Sequence, residues 1–437
     1  QLLAHPPAPG HIAAIQRIDS VGIQIWTLSN GVRVILKPTT FDANDVQVTS
    51  YRDGGTSYAP DSMLVPALTA LPMVSQSGLG PYDAAALKKR LAGTSVAGGG
   101  MIGPFGEGLW GRSAPKDLTT LFQLLYLQFT APRLDSSVFE QYAATLRDAV
   151  AHRAVSPEAA FSDTLDVVLA DHSPRVRLLD DAYLRELDRA KSLAFFKQRF
   201  ADATGFTFVI VGAFMVDSIK PLVERYLGGL PAAGARSTWR DTGLRRPDGI
   251  VTRVVRKGKE PKSAVTLVFL GPADRSRRER AVLTALGEVL RRRLWERLRQ
   301  ELGGVYGVSV TTQEEVVPTA TSLVTVSFGA DPARLAELTH EVFATITHLR
   351  RAGPTAAELA TYKAEYRRAR ESDVRSNAFW IEAIALYDQR GWPLADVPTA
   401  DRLVESITIA DLAAAARRYL DLSHYVQVSL LPETPAS

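Results

Sequence analysis

Two side chains, Arg299 and Tyr306, offer the most chemistry for their spacing in this chain of 437 residues. They flank Gly303 and Gly304: the arginine closes a long amphipathic pattern, the glycines break it, and the tyrosine opens a strand-like run from Val305 to Thr311. A guanidinium is a rigid fork of N–H donors suited to carbonyl and carboxylate oxygens. A phenol carries one donor that can meet an oxyanion as it develops. Each residue also has an ordinary explanation. Arginine at a helix C-terminus complements the helix dipole, tyrosine is a good strand former, and Tyr306, Val308 and Val310 share one strand face, as core residues would.

Other chemistries find little support. Cysteine is absent, which excludes disulfides, thiolate metal sites and cysteine catalysis. His340-Glu341 and His348 fall on one predicted helix, but two residues eight apart stand about 12 Å apart along it, too far to share a zinc ion. His5, His11, His152, His172 and His424 are scattered. No G-x-S-x-G elbow occurs. The run Gly98-Gly99-Gly100, followed by Gly103-Pro104-Phe105-Gly106-Glu107-Gly108, lacks the Lys-Ser/Thr of a phosphate loop and reads as turns between strands. Arg291, Arg292, Arg293 and Arg297 are interspersed with Glu288, Glu296 and Glu301, the pattern of a solvated helix face. The net charge of +4 is small and diffuse, unlike the clustered basic face that nucleic acid requires. No apolar run approaches the ~20 residues that span a bilayer, so no membrane span is expected.

The elements that would position Arg299 and Tyr306 fall into two sequential modules. Residues 1–21, with His5, Pro6, Pro7, Pro9 and Gly10, read as a linker-like segment. The first module, 22–230, opens with alternating Ile23-Gln24-Ile25-Trp26, a hairpin turn at Asn30-Gly31, whose type I′ geometry needs positive φ, and the return strand Val32 to Lys37. Helices then dominate, with Ser156-Pro157-Glu158 as a clear helix entry, and the buried strand Phe206 to Gly212 closes the module. Residues 231–249 are rich in Pro, Gly, Ala and Arg and read as the inter-module linker. The second module, 250–432, repeats the order. Val265, Leu267 and Phe269 alternate, then Val282, Leu286, Val289, Leu290, Leu294 and Leu298 form one helical stripe. Further strands and helices lead to a final strand from Tyr425 to Leu431. The expected fold class is α+β, two modules of similar topology, each a mostly antiparallel sheet covered by helices.

Several stretches, in order, resemble one family. Trp26-Thr27-Leu28-Ser29-Asn30-Gly31-Val32-Arg33-Val34 is similar to the opening hairpin of the pitrilysin (insulinase-like) zinc metallopeptidases. Asp53-Gly54-Gly55-Thr56 resembles their strand end before the zinc helix, and Leu227-Gly228-Gly229-Leu230-Pro231 their module ending. Asn377 and Trp380 resemble a recurring Asn…Trp helix, and Arg299 with Tyr306 the substrate-binding Arg/Tyr pair. The departure is the inverted zinc motif H-x-x-E-H, which occurs nowhere; its expected position reads Asp61-Ser62-Met63-Leu64-Val65-Pro66-Ala67-Leu68-Thr69-Ala70-Leu71, without a histidine.

The chain therefore resembles the C-terminal, inactive-domain half of a two-halved bacterial member. The resemblance implies that this half is not catalytic on its own and holds no metal. It implies that Arg299 and Tyr306 bind peptide substrate, and that zinc sits on a catalytic half, in the same polypeptide or in a partner subunit. It also implies an exported, periplasmic protein. The rival expectation is a metal-free scaffold or assembly subunit that binds protein partners without proteolysis.

Overall fold

The computed structural model describes residues 2–433 except 233, 235 and 236; the side chain of Tyr306 also lies outside the described set. The chain forms two compact units, each assembled from three segments: Gln1–Arg147, Leu179–Asp241 and Glu371–Pro398 in unit 1, and Asp148–Leu178, Thr242–Arg370 and Thr399–Ser437 in unit 2. A linear division into 22–230 and 250–432 thus differs from the compact units by two segments, 148–178 and 371–398.

Unit 1 is built on a seven-stranded sheet: β1 (Ile12–Ile18), β2 (Ile23–Leu28), β3 (Arg33–Pro38), β4 (Val46–Asp53), β5 (Ala97–Ile102), β6 (Gly106–Ser113) and β7 (Thr207–Gly212), in the order β1-β2-β3-β7-β4-β6-β5. Only β3 and β7 pair in parallel. The β2–β3 hairpin does turn at Asn30-Gly31, but not as type I′: Gly31 has φ +80° while Asn30 is not left-handed, and the Gly31 N–H donates to the Leu28 carbonyl at 2.9 Å, so a turn over Ser29-Asn30 ends in one left-handed glycine. Asn30 Nδ2 donates to the Leu227 and Leu230 carbonyls at 2.8 and 3.2 Å, tying the opening hairpin to the Leu-Gly-Gly-Leu segment. On one sheet face the helices Leu64–Ser77, Leu118–Thr130 and Arg189–Phe200 bury Phe122, Phe129, Phe196 and Phe200 against Phe206 and Phe208. The other face is covered by the helix Asn377–Arg390, whose Trp380, Ile381, Ile384 and Tyr387 pack on Ile23, Ile35, Val209 and Val211. Covered on both sides, β7 is buried at every residue, which explains its uninterrupted apolar sequence.

Unit 2 is built on five strands: β8 (Ile250–Arg256), β9 (Ser263–Pro272), β10 (Val305–Glu315), β11 (Thr321–Ala330) and β12 (Tyr425–Leu431), in the order β10-β11-β9-β12-β8, with only β12 and β8 parallel. The order and sense repeat β5-β6-β4-β7-β3 of unit 1, so the repeated element order read from the sequence is a repeated topology. The helices Arg277–Leu294, Leu335–Ala352 and Ile409–Tyr419 cover one face. The other receives the helix Pro157–Leu169, with Phe161, Leu165 and Val168 against Val268, Leu270, Val426 and Val428. Its entry is the one expected: the Ala159 N–H donates to Ser156 Oγ at 3.1 Å, with Pro157 in the first turn.

Two local expectations are corrected. Residues 12–18, inside the segment read as linker-like, form β1, and the Leu2 N–H donates to Gln123 Oε1 at 2.7 Å. Gly98, Gly99 and Gly100 are not turn residues but lie in β5, because close packing excludes a side chain. A Cβ on Gly100 would stand 2.8 Å from Leu71 Cδ1, and one on Gly98 2.9 Å from the Trp110 carbonyl oxygen.

Candidate functional site

The helix Arg277–Leu294 runs on without a break into a π-helical turn, Trp295–Glu301. Such turns are rare and concentrate at functional positions. Leu286, Leu290, Leu294 and Leu298 anchor this rod in the core of unit 2. It ends where Gly303 takes φ +57°, a left-handed conformation that glycine adopts without strain. Gly304 then passes so close to Leu338 that a Cβ would lie 2.6 Å from its Cδ2. Two arginines brace the turn. Arg334 donates to the Leu302 carbonyl at 3.1 Å while gripping Glu337. Arg297 reaches Glu301 at 2.7 Å and Glu341 at 2.9 Å, pairs that hold its guanidinium above the usual arginine range.

Arg299 extends from this turn, exposed, and its Nη1 donates to the Val305 carbonyl at 2.9 Å. No carboxylate pairs with it among the described residues, and an arginine has several N–H donors beyond the one used on Val305. Val305 pairs with Ala330 and the next register pair is Val308 with Phe328, so Tyr306 and Gly307 occupy an irregularity at the start of β10. β10 is an edge strand. The structure thus fixes Arg299 to the residue before Tyr306; the Tyr306 side chain lies outside the described residues.

In unit 1, the position at which active modules of the resembled family carry zinc is filled by an apolar helix. Leu64, Val65, Ala67, Ala70, Met73 and Val74 are buried, and Thr69 is occupied by the Val65 carbonyl at 2.8 Å and Ser192 Oγ at 3.3 Å. Among the described residues no group of three or more His, Cys, Asp or Glu is arranged to hold a metal ion, so the donor set does not fit zinc. His340 and His348 are exposed on their helix, and His424 Nε2 sits 3.0 Å from the Pro247 carbonyl.

Beneath the Gly54-Gly55 loop lies a cluster that sequence reasoning missed. Glu107, at the start of β6 and fully buried, is held between Arg52 and Arg199. Arg52 Nε donates to its Oε1 at 2.8 Å; Arg199 Nη2 and Nε donate to Oε1 and Oε2 at 2.7 and 3.1 Å. The Gly55 N–H also donates to Glu107, and the Arg199 and Arg240 guanidiniums lie over the Tyr58 ring, each 4.2 Å from its centroid. Burial, with Glu107 nearby, pushes the Asp53 carboxyl above its usual range. Partners 55 and 92 residues from Glu107 leave no local signal in the sequence.

Comparison with known proteins defines the class. Residues 186–366 match the family model of the peptidase M16 inactive domain. The chain thus carries an M16 inactive domain and is a relative of the zinc proteases of that family. It is 24% identical over 463 residues to the zinc protease PQQL-like of Arabidopsis thaliana, covering 99% of this chain and 46% of the relative. It is also 24% identical over 408 residues to the probable zinc protease PqqL of Escherichia coli, covering 90% and 42%. The chain spans about half the length of these curated relatives, or less.

Among solved structures, the periplasmic protease PqqL from Escherichia coli superposes with a TM-score of 0.86 at 21% identity, over 99% of this chain and 48% of that one. The peptidase M16 inactive domain from Pseudomonas fluorescens superposes at 0.79 and 17%, over 95% and 99%. The ferredoxin protease FusC, solved as a mutant in complex with Arabidopsis ferredoxin, gives 0.85 and 19%, over 99% and 47%.

Proposed function

We propose that this chain is the non-catalytic half of a zinc metallopeptidase, which closes over a peptide and supplies Arg299 and Tyr306 to a zinc site carried by another half. The observation that carries the reading is the braced π-turn, which holds an exposed guanidinium, without a carboxylate partner among the described residues, beside the start of an edge strand. Arg299 then donates to substrate main-chain carbonyls, and Tyr306 donates to the oxygen that gains charge as the peptide bond is attacked. Zinc, when bound on the catalytic half, supplies the activated water. The relatives support the reading because they are zinc proteases of about twice this length. Export to the periplasm belongs to the same reading, in keeping with the periplasmic relative from Escherichia coli.

The test is reconstitution. A quenched fluorescent peptide is offered to this chain alone, to a zinc-bearing half alone, and to the two together or joined in one polypeptide. The proposal expects no turnover from this chain by itself and chelator-sensitive turnover when both halves are present. Chelator-sensitive hydrolysis by the isolated chain would overturn it, and a stable two-half complex that never cuts peptide would favour the scaffold role instead.

A further inference from the structure

At one end of the unit 1 sheet β3, β6 and β7 finish and β4 begins, so three connections meet there: residues 39–45, 114–117 and 213–215. Each is fixed at its root. The Thr39 N–H donates to the Gly212 carbonyl at 2.8 Å, the Ala213 N–H to the Asp45 carbonyl at 3.0 Å, and the Asp117 N–H to the Ala114 carbonyl at 3.0 Å. Gly212 has φ +144°, and a Cβ there would stand 2.3 Å from the Asp45 carbonyl oxygen, so glycine is what lets two of the connections approach.

Between these connections lies a cavity of about 620 Å³, within the range of about 300–1,000 Å³ in which small-molecule sites fall. Ala43, Pro115, Leu118, Phe214 and Met215 give it apolar walls. Met215 is 73% exposed, so the cavity is open on that side, and a methionine there can adapt its shape to what enters. Thr39, Thr40 and Ser218 add hydroxyls. That of Thr39 is engaged, donating to Asn377 Oδ1 at 2.6 Å, while Thr40 and Ser218 keep theirs at the exposed surface.

Lys116 brings the one charge among the described residues that line the cavity. It pairs with no carboxylate among the described residues. The neighbouring Asp117 is turned to Ser95, whose N–H and Oγ both donate to its Oδ2 at 3.1 Å. The cavity is also remote from the loop that resembles the entry to a zinc helix. β4 runs eight residues between this end of the sheet and Gly54-Gly55, about 25 Å at the rise of a strand.

We infer that this cavity binds a small amphipathic carboxylate, an apolar body of about ten carbons whose anionic end meets Lys116 and the Thr40 and Ser218 hydroxyls. The walls select the body, each buried methylene strengthening binding by about fourfold. The ammonium selects the sign. A carboxylate gains a charge-assisted hydrogen bond from Lys116, whereas a cation of the same shape meets like charge. The connections are already fixed by main-chain hydrogen bonds, so little ordering opposes binding. The cavity belongs to unit 1 alone, and its role is separate from that of Arg299 in unit 2.

The experiment uses the full chain alone, isotopically labelled at its methionine methyl groups. The chain has four methionines, and Met215 lines the cavity while Met63, Met73 and Met101 do not, so four methyl resonances report site and remainder separately. The probe is decanoate below its micelle concentration, beside decylammonium, which keeps the apolar body and reverses the charge. The expected result is saturable binding of decanoate, a shift of the Met215 methyl resonance alone, and binding of decylammonium weaker by about tenfold or more.

Lys116→Glu and Ala43→Trp, both at exposed positions, keep the far-ultraviolet circular dichroism of the wild type. The first weakens decanoate by about tenfold or more, and the second fills the cavity and removes the Met215 response. The inference is overturned by absence of saturable binding at millimolar decanoate, or by binding that leaves the Met215 methyl unmoved. Equal binding of decanoate and decylammonium overturns it too, as does a Lys116→Glu variant that binds decanoate like the wild type. So does a Met215 shift that follows protein concentration without ligand, with sedimentation as a dimer, which would assign the cavity to a second copy of the chain. None of these outcomes bears on peptide turnover by the two-half enzyme, so the two readings fail separately.

Discussion

The guanidinium of Arg33 grips both carboxylate oxygens of Asp388, 355 residues further along the chain, at 3.0 and 2.8 Å. Tyr51 Oη donates to the same carboxylate at 2.7 Å, and burial followed by the Asp388 charge pushes the Tyr51 phenol well above its ordinary range. At the other end of the same helix, Asn377 accepts from Thr39 Oγ1 at 2.6 Å and donates to Asp45 Oδ2 at 2.9 Å. These bonds fasten the helix Asn377–Arg390 across the sheet of unit 1. Asp388→Ala leaves a partly buried guanidinium and phenol without their acceptor and should lower stability by about 2 kcal/mol. Arg33→Ala should cost less, since Tyr51 still satisfies the carboxylate. Urea unfolding of the two variants checks the order.

The same arrangement predicts how the chain can be divided. Residues 22–230 expressed alone lack the helix that covers Ile23, Ile35, Val209 and Val211, and should bind a hydrophobic dye and aggregate. A fusion that restores residues 371–398 should give a cooperative unfolding transition. A well-folded 22–230 fragment, judged by dispersed amide resonances, would contradict the assignment of that helix to unit 1.

The buried cluster around Glu107 makes a sharper stability claim. Glu107→Gln removes the charge that compensates two buried guanidiniums, and breaking such an arrangement costs about 3–5 kcal/mol. Removing one partner of an exposed pair, such as Glu260 with Lys262, should leave stability nearly unchanged, because solvent screens it. Denaturant midpoints of Glu107→Gln and Glu260→Gln compare the two directly.

How much of this was legible beforehand depended on the range of the signal. Strand alternation, the Asn30-Gly31 turn, the Ser156-Pro157 entry and the repeated element order are local patterns, and the α+β class with its two similar topologies followed from them. Which sheet a helix covers is not local. The apolar residues of Asn377–Arg390 and Pro157–Leu169 marked buried faces but not their partners, so a linear division at 231–249 assigned both segments to the nearer module. β5 was hidden because glycines carry no alternation, and β1 because Ile12-Ala13-Ala14-Ile15 follows a proline-rich stretch without a strand period. The Arg299 and Tyr306 spacing stood out in the sequence; the braces did not, since Glu341 is 44 residues from Arg297 and Arg334 reaches back 32 residues to the Leu302 carbonyl.

Acid sensitivity should centre on Glu358 in unit 2. Burial alone would raise its carboxyl, but hydrogen bonds from Arg293 and Thr355 outweigh burial and bring it from 4.5 down to about 2. A carboxylate depressed in the folded state contributes stability that is present above its unfolded value and lost as pH falls. The loss should therefore run from about pH 4.5 down to about pH 2. Glu358→Gln should lower stability at neutral pH and flatten its fall over that interval, as read by thermal unfolding across pH.

The central claim is that Arg299 and Tyr306 touch the peptide. It is tested most directly by steady-state kinetics of the complete two-half enzyme bearing Arg299→Ala, Tyr306→Phe or both, with zinc content and melting temperature measured in parallel. The account predicts that Tyr306→Phe lowers kcat by about 10²–10³-fold, the usual cost of losing one donor to a developing oxyanion. It predicts that Arg299→Ala lowers kcat/KM and that the double variant retains full zinc and an unchanged melting temperature. Wild-type kcat/KM in the double variant, with zinc and fold intact, would contradict it.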